Sequence, residues 1–239
     1  AVALYKATGD GTWHDTFLDI GDVDDGVDAY LSCNNHLACD AAWLYLSIDE
    51  ALTDAAVRAD MEASFVATAD EVIAAAETTS YGWAVENRFA PLVWGLGPGG
   101  APSAIGLLRA HRLTGDERYR RAALRSAAVS LGANPTNTVF VTGFGRHPVR
   151  NPVILDAQSG GLPVWAGTPI YGPHQVGRLD DESWIDEFVL GPAGVQPLAA
   201  DLPYLWQWFD VSRVAMFNEF TVFQSHAEAL YAYGLLADS

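Results

Sequence analysis

The chain has 239 residues, half of them hydrophobic, and it carries 13 Lys and Arg against 30 Asp and Glu, a formal net charge of −17. This composition suits one large globular domain, or less readily two small ones, and excludes a disordered chain. The charge argues against nucleic acid as a partner, because an acidic surface repels phosphates. No apolar run approaches the roughly 18 residues that span a bilayer, so we expect no membrane partner.

The N-terminal segment "AVALYKATGD" reads as the interior of a helix and has neither an initiator Met nor a signal-peptide pattern. We therefore expect the chain to be a processed or excised piece of a longer protein whose targeting sequence has been removed.

An acidic cluster follows between residues 19 and 28. Its carboxylates could bind Ca²⁺, which prefers oxygen ligands, with Asp22, Asp24 and Asp28 as the candidate ligands. Their spacing does not match an EF-hand loop. A solvated acidic turn is the alternative interpretation, and the sequence leaves both open.

The two cysteines, Cys33 and Cys39, lie six residues apart in the loop-like stretch "SCNNHLACD". Because they have no His or Cys companions at metal-binding spacing, the pattern favours a local disulfide over a zinc site. A disulfide indicates an oxidising compartment, so we expect a secreted, extracellular protein.

Segments rich in Ala and Leu, with charges three and four residues apart, predict helices over 52–77, 101–115, 116–132 and 218–239. In the third of these, Tyr119, Ala123 and Ala127 share one face, as in an amphipathic helix. Long stretches rich in Gly, Pro, Trp and Asn lie at 81–100 and 133–198. Long loops on a helical scaffold are common places for binding sites.

Two segments of the chain, which we call the Thr-Gly-Asp echo, have similar sequences. "LYKATGDGTW" at 4–13 and "AHRLTGDERY" at 110–119 both contain Thr-Gly-Asp, with an aromatic residue five positions after the threonine. In the second copy, Thr114 and Glu117 also fit a capping box. Two copies of one helix-turn-helix joint predict antiparallel helical hairpins repeated around a toroid or solenoid.

Glu219 stands between Asn218 and Phe220 in the aromatic and aliphatic stretch "WQWFDVSRVAMFNEF", residues 206–220. Burial disfavours the charged form of a carboxyl group, so a glutamate among apolar neighbours is a candidate proton donor. The alternative is a solvent-facing glutamate on a helix whose other faces are buried.

Four motifs resemble the C-terminal half of a glycoside hydrolase family 9 catalytic domain, the inverting cellulase group: "LYKATGD" at 4–10, "VWGLGPG" at 93–99, "LGANPTNTVFVTGFG" at 131–145 and "FDVSRVAMFNEFT" at 209–221. The third is the most specific, because Leu-Gly-x-Asn-Pro is followed by Val-Thr-Gly-Phe-Gly. They are spread over residues 4–221, so the resemblance extends over most of the chain. The resemblance implies an all-α (α/α)6 barrel, of which residues 1–239 would be the C-terminal portion of a single catalytic domain.

The resemblance also implies that Glu219 is the general acid, since Asp210 stands nine residues before it, as in the family's signature. An inverting glycosidase needs a second carboxylate, roughly 6.5–9.5 Å away, to activate water. The family carries it in an Asp-Ala-Gly-Asp motif before its Leu-Tyr-Lys-Ala-Thr-Gly-Asp helix. We therefore expect it upstream of Ala1, in the N-terminal remainder of the domain. "DIGD" at 19–22 is a weaker candidate, because it follows that helix.

Several side chains near the motifs are candidates for binding the substrate: Trp94, Arg146, His147, Arg150, Trp165, Tyr171, His174 and Trp208. The family's usual Pro-His-His-Arg stretch is replaced here by "RHPVRNPVILDA", which puts ordinary cellulose specificity in doubt. The three basic residues of that stretch either face a carboxylate on a decorated glucan such as xanthan or pair with nearby acids. The aromatic residues of 160–176 either stack on sugars or anchor the loop.

The expected function is therefore that of an endoglucanase-like glycoside hydrolase that cleaves β-1,4-glucan-type linkages in a polysaccharide. It requires no cofactor, and a structural Ca²⁺ is expected only if the acidic cluster binds one. Two alternatives stay open. A non-catalytic carbohydrate-binding or scaffold toroid would explain the missing aspartate motif. Another α/α-barrel polysaccharide-degrading enzyme would explain the architecture but not the Val-Thr-Gly-Phe-Gly stretch.

Overall fold

In a computed structural model, the described residues are 1–20, 36–82, 104–173, 191, 194, 196–198, 201–203, 206–212, 218–219 and 228–237. They form a helical structure with three isolated β-bridges in place of strands. This confirms the all-α class. Within these ranges no helix is long and apolar enough to cross a membrane.

The described helices, numbered in chain order, are α1 (Val2–Thr8), α2 (Gly11–Ile20), α3 (His36–Leu46), α4 (Ala55–Glu77), α5 (Ala104–Thr114), α6 (Glu117–Ser130), α7 (Leu155–Gly160) and α8 (Glu228–Ala237), with a 3₁₀ turn at Glu50–Leu52. The helices predicted over 52–77, 101–115 and 116–132 are confirmed as α4, α5 and α6. The one predicted over 218–239 is described as a continuous helix from Glu228 onward, as α8, and residues 220–227 lie outside the described ranges.

Helix α4 begins later than its sequence suggested, because Asp54 caps it. The Asp54 carboxylate accepts hydrogen bonds from the backbone N–H groups of Ala56 and Val57, at 2.8 and 3.1 Å. Such a cap satisfies donors that have no partner inside the helix. Leu52 therefore lies in the preceding 3₁₀ turn.

The Thr-Gly-Asp echo is one turn built twice. At the first copy, the Thr8 hydroxyl donates to the Leu4 carbonyl at 2.7 Å and accepts the Asp10 N–H at 3.2 Å. At the second, Thr114 donates to Ala110 at 2.8 Å and accepts the Asp116 N–H at 3.1 Å.

Each joint places its glycine, Gly9 or Gly115, at a φ of 70° or 71°, in the left-handed region where glycine carries no steric penalty. Two helices joined so tightly pack antiparallel, and α1 contacts α2 as α5 contacts α6.

The aspartate that ends each joint caps the next helix. Asp10 accepts the Thr12 N–H at 3.0 Å, and Asp116 accepts the Arg118 N–H at 2.9 Å. The Thr12 N–H lowers the pKa of Asp10 below its usual value. The predicted capping box of Thr114 and Glu117 is wrong, since Asp116 is the N-cap of α6.

Two apolar clusters pack α1 to α6 and α8 together, and α4 contributes to both. Its buried residues recur every three or four positions along one face, so the helix lies across the two clusters. The first cluster comprises Val2, Phe17, Cys39, Ala42, Tyr45, Ile48, Val57, Met61 and Phe65. The second comprises Ala69, Val72, Ala76, Ala104, Leu107, Leu108, Ala110, Tyr119, Ala123, Ala127 and Ala232. Alanine predominates in the second cluster, which allows α4, α5, α6 and α8 to approach closely.

Candidate active site

The candidate site lies in a region we call the loop layer, residues 131–173, 206–212 and 218–219. Backbone hydrogen bonds connect its segments side by side. The N–H of Phe140 donates to the Ser130 carbonyl at the end of α6, and the N–H of Ile170 donates to Phe140, both at 2.9 Å. On the other side, the N–H of Val139 donates to the His147 carbonyl at 2.8 Å, and the N–H of Val149 donates to the Val139 carbonyl at 3.0 Å. The layer therefore extends outward from the end of α6.

Asn134, of the Leu-Gly-x-Asn-Pro motif, fixes the start of the loop layer. Its side chain is 3% exposed, and its Nδ2 donates to the carbonyls of Val129 and Thr138 at 2.7 and 2.8 Å. Its Oδ1 accepts the N–H groups of Thr136 and Thr138, both at 3.2 Å, and the Thr136 hydroxyl at 2.8 Å. One amide thus satisfies five backbone or hydroxyl groups where the chain leaves α6.

Thr142, of the Val-Thr-Gly-Phe-Gly motif, ties two turns together. Its backbone N–H donates to the Thr168 carbonyl at 3.0 Å, and its carbonyl accepts the Gly167 N–H at 2.7 Å. Its hydroxyl accepts the Thr168 N–H at 2.9 Å and donates to the Trp165 carbonyl.

The close approach of these two turns explains why the residue after Thr142 is a glycine. A Cβ at Gly143 would lie 2.6 Å from the Ala166 Cβ, and its φ of 74° also requires glycine. The two turns are therefore locked together, and they carry two exposed aromatic side chains, Phe144 at 55% and Trp165 at 62% exposure.

Asp210, the signature residue nine positions before Glu219, attaches the segment 206–212 to the loop layer. Its two carboxylate oxygens accept the backbone N–H groups of Arg150 and Asn151, at 2.9 and 2.8 Å. The Asn151 side chain donates back to the Asp210 carbonyl at 3.0 Å. Trp208 packs edge-on against Phe140, with ring centroids 5.2 Å apart.

Glu219 is half-buried, and the backbone on both sides of it is held. The carbonyl before it, of Asn218, accepts the Val153 N–H at 2.8 Å, and its own carbonyl accepts the Tyr171 N–H at 3.0 Å. The Asn218 side chain is fully buried and donates to the carbonyls of Phe209 and Val211, both at 2.9 Å. The carboxylate therefore projects from a backbone anchored to three segments.

The basic residues of "RHPVRNPVILDA" are all exposed. Arg146 and His147 line an open groove of about 400 Å³, together with Leu131, Gly132, Asn137, Val139 and Gly145. Arg150 lies outside this groove, where its backbone contacts Asp210. Among the described residues, no carboxylate lies within ion-pair distance of any of the three. The described residues therefore do not support the interpretation that these three basic side chains pair with nearby acids.

The aromatic candidates differ in exposure. Trp165 is exposed and remains available for stacking, whereas Tyr171 is only 4% exposed, which favours the loop-anchor interpretation for its ring. Trp208 is half-buried, and its buried indole Nε1 has no hydrogen-bond partner among the described residues. Trp94 and His174 lie outside the described residues.

The predicted metal ligands Asp22, Asp24 and Asp28 also lie outside the described residues, as does Cys33. Cys39 lies inside helix α3 and is 3% exposed, so the stretch is helical rather than loop-like from His36 onward. The calcium site and the disulfide stay predictions. In the ranges that the structure does describe, no group of three or more His, Cys, Asp or Glu side chains could hold a metal ion.

Sequence reasoning missed the polar side chains that hold the site, Asn134, Thr142 and Asn218. A signal was present, because each is a hydrogen-bonding residue inside an otherwise apolar or glycine-rich motif. A buried polar residue needs partners, and in a region with few backbone pairs those partners are loop carbonyls and N–H groups.

No family model and no curated protein matches the chain, but solved structures do. A metagenome-derived glycoside hydrolase family 9 endoglucanase aligns with a TM-score of 0.73 and 22% identity, over 98% of this chain and 39% of that one. AaCel9A, in complex with cellobiose-like isofagomine, aligns with a TM-score of 0.73 and 23% identity, over 99% and 41%. A Bacteroides ovatus family 9 protein aligns with a TM-score of 0.59 and 22% identity, over 82% and 32%.

Identities of this size establish the fold alone, and the chain spans about two fifths of the length of the first two structures. The resemblance carried by the four sequence motifs is confirmed at that level. The chain therefore has the (α/α)6 fold of glycoside hydrolase family 9 endoglucanases, over a part of their length.

Proposed function

We propose that this chain carries the general acid, Glu219, of an inverting glycoside hydrolase that cleaves β-1,4-glucan-type linkages in a polysaccharide. The observation that carries the proposal is the setting of Glu219. It is a half-buried carboxyl group whose flanking backbone is anchored to 153 and 171, in a chain with the fold of family 9 endoglucanases. A proton donor must reach the leaving oxygen with a fixed orientation, and an anchored backbone supplies that.

In the proposed reaction, Glu219 gives its proton to the glycosidic oxygen as the bond from that oxygen to the anomeric carbon breaks. A water molecule attacks the opposite face of the sugar, and a second carboxylate takes its proton, so the configuration inverts. We place that second carboxylate in the remainder of the catalytic domain, with residues 1–239 as the C-terminal portion. Hydrolysis by residues 1–239 alone, lost on Asp22→Asn, would move the base to the 19–22 stretch.

We further propose that the substrate carries acidic substituents, because Arg146 and His147 line an open groove and stay unpaired with described acids. A decorated, anionic glucan would present carboxylates to such a groove. Trp165, exposed on a locked turn, is the proposed stacking surface for a sugar ring. We also propose that the protein is secreted, because secretion is consistent with a polysaccharide substrate.

The test is Glu219→Gln in the full-length protein. Hydrolysis of the polysaccharide should fall by about 10²-fold or more, because an amide cannot protonate the leaving oxygen. Hydrolysis of a β-glycosyl fluoride should largely persist, since fluoride needs little protonation to leave. Steady-state rates on the two substrates measure the difference.

Glu77→Gln is the matched control, since it makes the same change on an exposed residue at the end of α4. It should leave both rates unchanged. If Glu219→Gln instead lowers both rates equally, Glu219 is not the proton donor. If neither substrate is hydrolysed by the unaltered full-length protein, the carbohydrate-binding alternative is favoured.

A further inference from the structure

The residue before the proposed acid has an unusual set of contacts. Asn218 is 0% exposed, although its side chain is polar. Its Nδ2 donates to the carbonyls of Phe209 and Val211, both at 2.9 Å. Two carbonyl oxygens can be satisfied only by donors, so these contacts fix which end of the amide is the nitrogen. The buried Oδ1 has no hydrogen-bond partner among the described residues.

These contacts join the acid to the segment that Asp210 anchors. Phe209 and Val211 flank Asp210, whose carboxylate is bound by the N–H groups of Arg150 and Asn151. The Asn218 carbonyl returns to the same stretch, because it accepts the Val153 N–H at 2.8 Å. Segments 150–153, 209–211 and 218–219 therefore form a closed circuit of hydrogen bonds, and Asn218 is its only member adjacent in sequence to the acid.

We propose that Asn218 is the positioning residue of the active site: its buried amide fixes the backbone from which the Glu219 carboxyl reaches the leaving oxygen. The inference rests on the proposed function of Glu219. A displacement of about 1 Å at a reacting group can cost on the order of 10²-fold in rate, so loosening this backbone should impair proton donation. It should not impair substrate binding, which the proposed function assigns to other side chains.

The test uses Asn218→Asp and Asn218→Ala in the full-length protein. The first is isosteric and removes both N–H donations, and the second removes the amide without adding a charge. For each, kcat on the polysaccharide should fall by about 10-fold or more while KM changes little. The kcat on a β-glycosyl fluoride should fall by less than about threefold, because that substrate needs little help from the acid.

Asn134 supplies matched controls, because its buried Nδ2 also donates to two backbone carbonyls, at 2.7 and 2.8 Å, in the same loop layer. Asn134→Asp and Asn134→Ala should lower the melting temperature at least as much as the Asn218 variants. They should leave the ratio of polysaccharide to fluoride activity unchanged. A merely structural role would make the two pairs of variants behave alike.

The outcomes separate this inference from the function on which it rests. Suppose that Glu219→Gln loses activity on the polysaccharide and keeps it on the fluoride while the Asn218 variants lose both activities equally. In that case the positioning role is wrong and the proposed function stands. If Glu219→Gln itself shows no selectivity, the proposed function fails first. Circular dichroism of each variant establishes that the folded fraction is being compared.

Discussion

The helical hairpins and the loop layer are stabilised in different ways. The hairpins pack through two apolar clusters, and α4 crosses both with one face of apolar residues. The loop layer contains most of the buried polar side chains of the described chain, including Asn134, Thr142 and Asn218. Its segments are joined by hydrogen bonds from these side chains to backbone groups.

The two regions differ in how much of their stability depends on any one residue. Apolar contacts in a helical cluster are numerous, and each contributes a little, so the hairpin arrangement tolerates change. A loop held by one amide loses several hydrogen bonds at once when that amide is removed, and each buried group left unpaired adds a further cost. The site is therefore more sensitive to single polar substitutions than the scaffold below it.

The strongest test of this contrast is Asn134→Ala in the loop layer against Tyr119→Phe in the hairpins. Asn134→Ala removes five hydrogen bonds at a buried position and should lower the free energy of unfolding by about 2–4 kcal/mol. Tyr119→Phe removes a hydroxyl that donates to Asp70 and accepts from Arg118, and should cost about 1 kcal/mol. Denaturant unfolding of both variants measures the gap, and equal losses would contradict the contrast.

A smaller effect is expected from alkaline pH on the hairpins. Burial in the cluster around α8 raises the pKa of Tyr233 to about 12. The pKa of an exposed tyrosine is about 10, so the folded state binds this proton more tightly than the unfolded state does. The resulting stabilisation is fully present below about pH 10 and is lost as the pH rises towards 12.

Unfolding experiments between about pH 9 and 12 should therefore show a loss on the order of 2 kcal/mol that Tyr233→Phe removes. Tyr231→Phe, on the same helix but 38% exposed, is the matched control and should leave the decline in place. An unchanged alkaline decline in the Tyr233 variant would mean that other groups cause it.

The smallest effect is expected at the two Thr-Gly-Asp joints, where the hairpins themselves use polar contacts. Thr8→Val and Thr114→Val each remove a hydroxyl that bridges the helix end to the following aspartate. Both threonines are exposed, so each change should cost about 0.5–1 kcal/mol, and the two costs should be equal. Clearly unequal melting temperatures would show that the joints are not equivalent.

Sequence alone determined the hairpins and the location of the candidate acid. The apolar spacing of α4 and α6, and the repeated Thr-Gly-Asp turn, are local patterns that depend on residues a few positions apart. Glu219 was found because its motif stands in one continuous stretch. The capping box of Thr114 and Glu117 was mistaken for the same reason: its spacing fits a local pattern, but in the folded backbone Asp116 accepts the Arg118 N–H and caps the helix.

The tertiary structure decided how the acid is held and which candidates surround it. Asp210 contacts residues 150 and 151, and Asn218 contacts residues 153, 209 and 211. Some of these hydrogen-bonded partners are up to 65 residues apart in the sequence. No local pattern specifies them, because a loop's partners depend on where the helices below place its ends. The burial of Tyr171 and the exposure of Trp165, six residues apart in one loop, were settled in the same way.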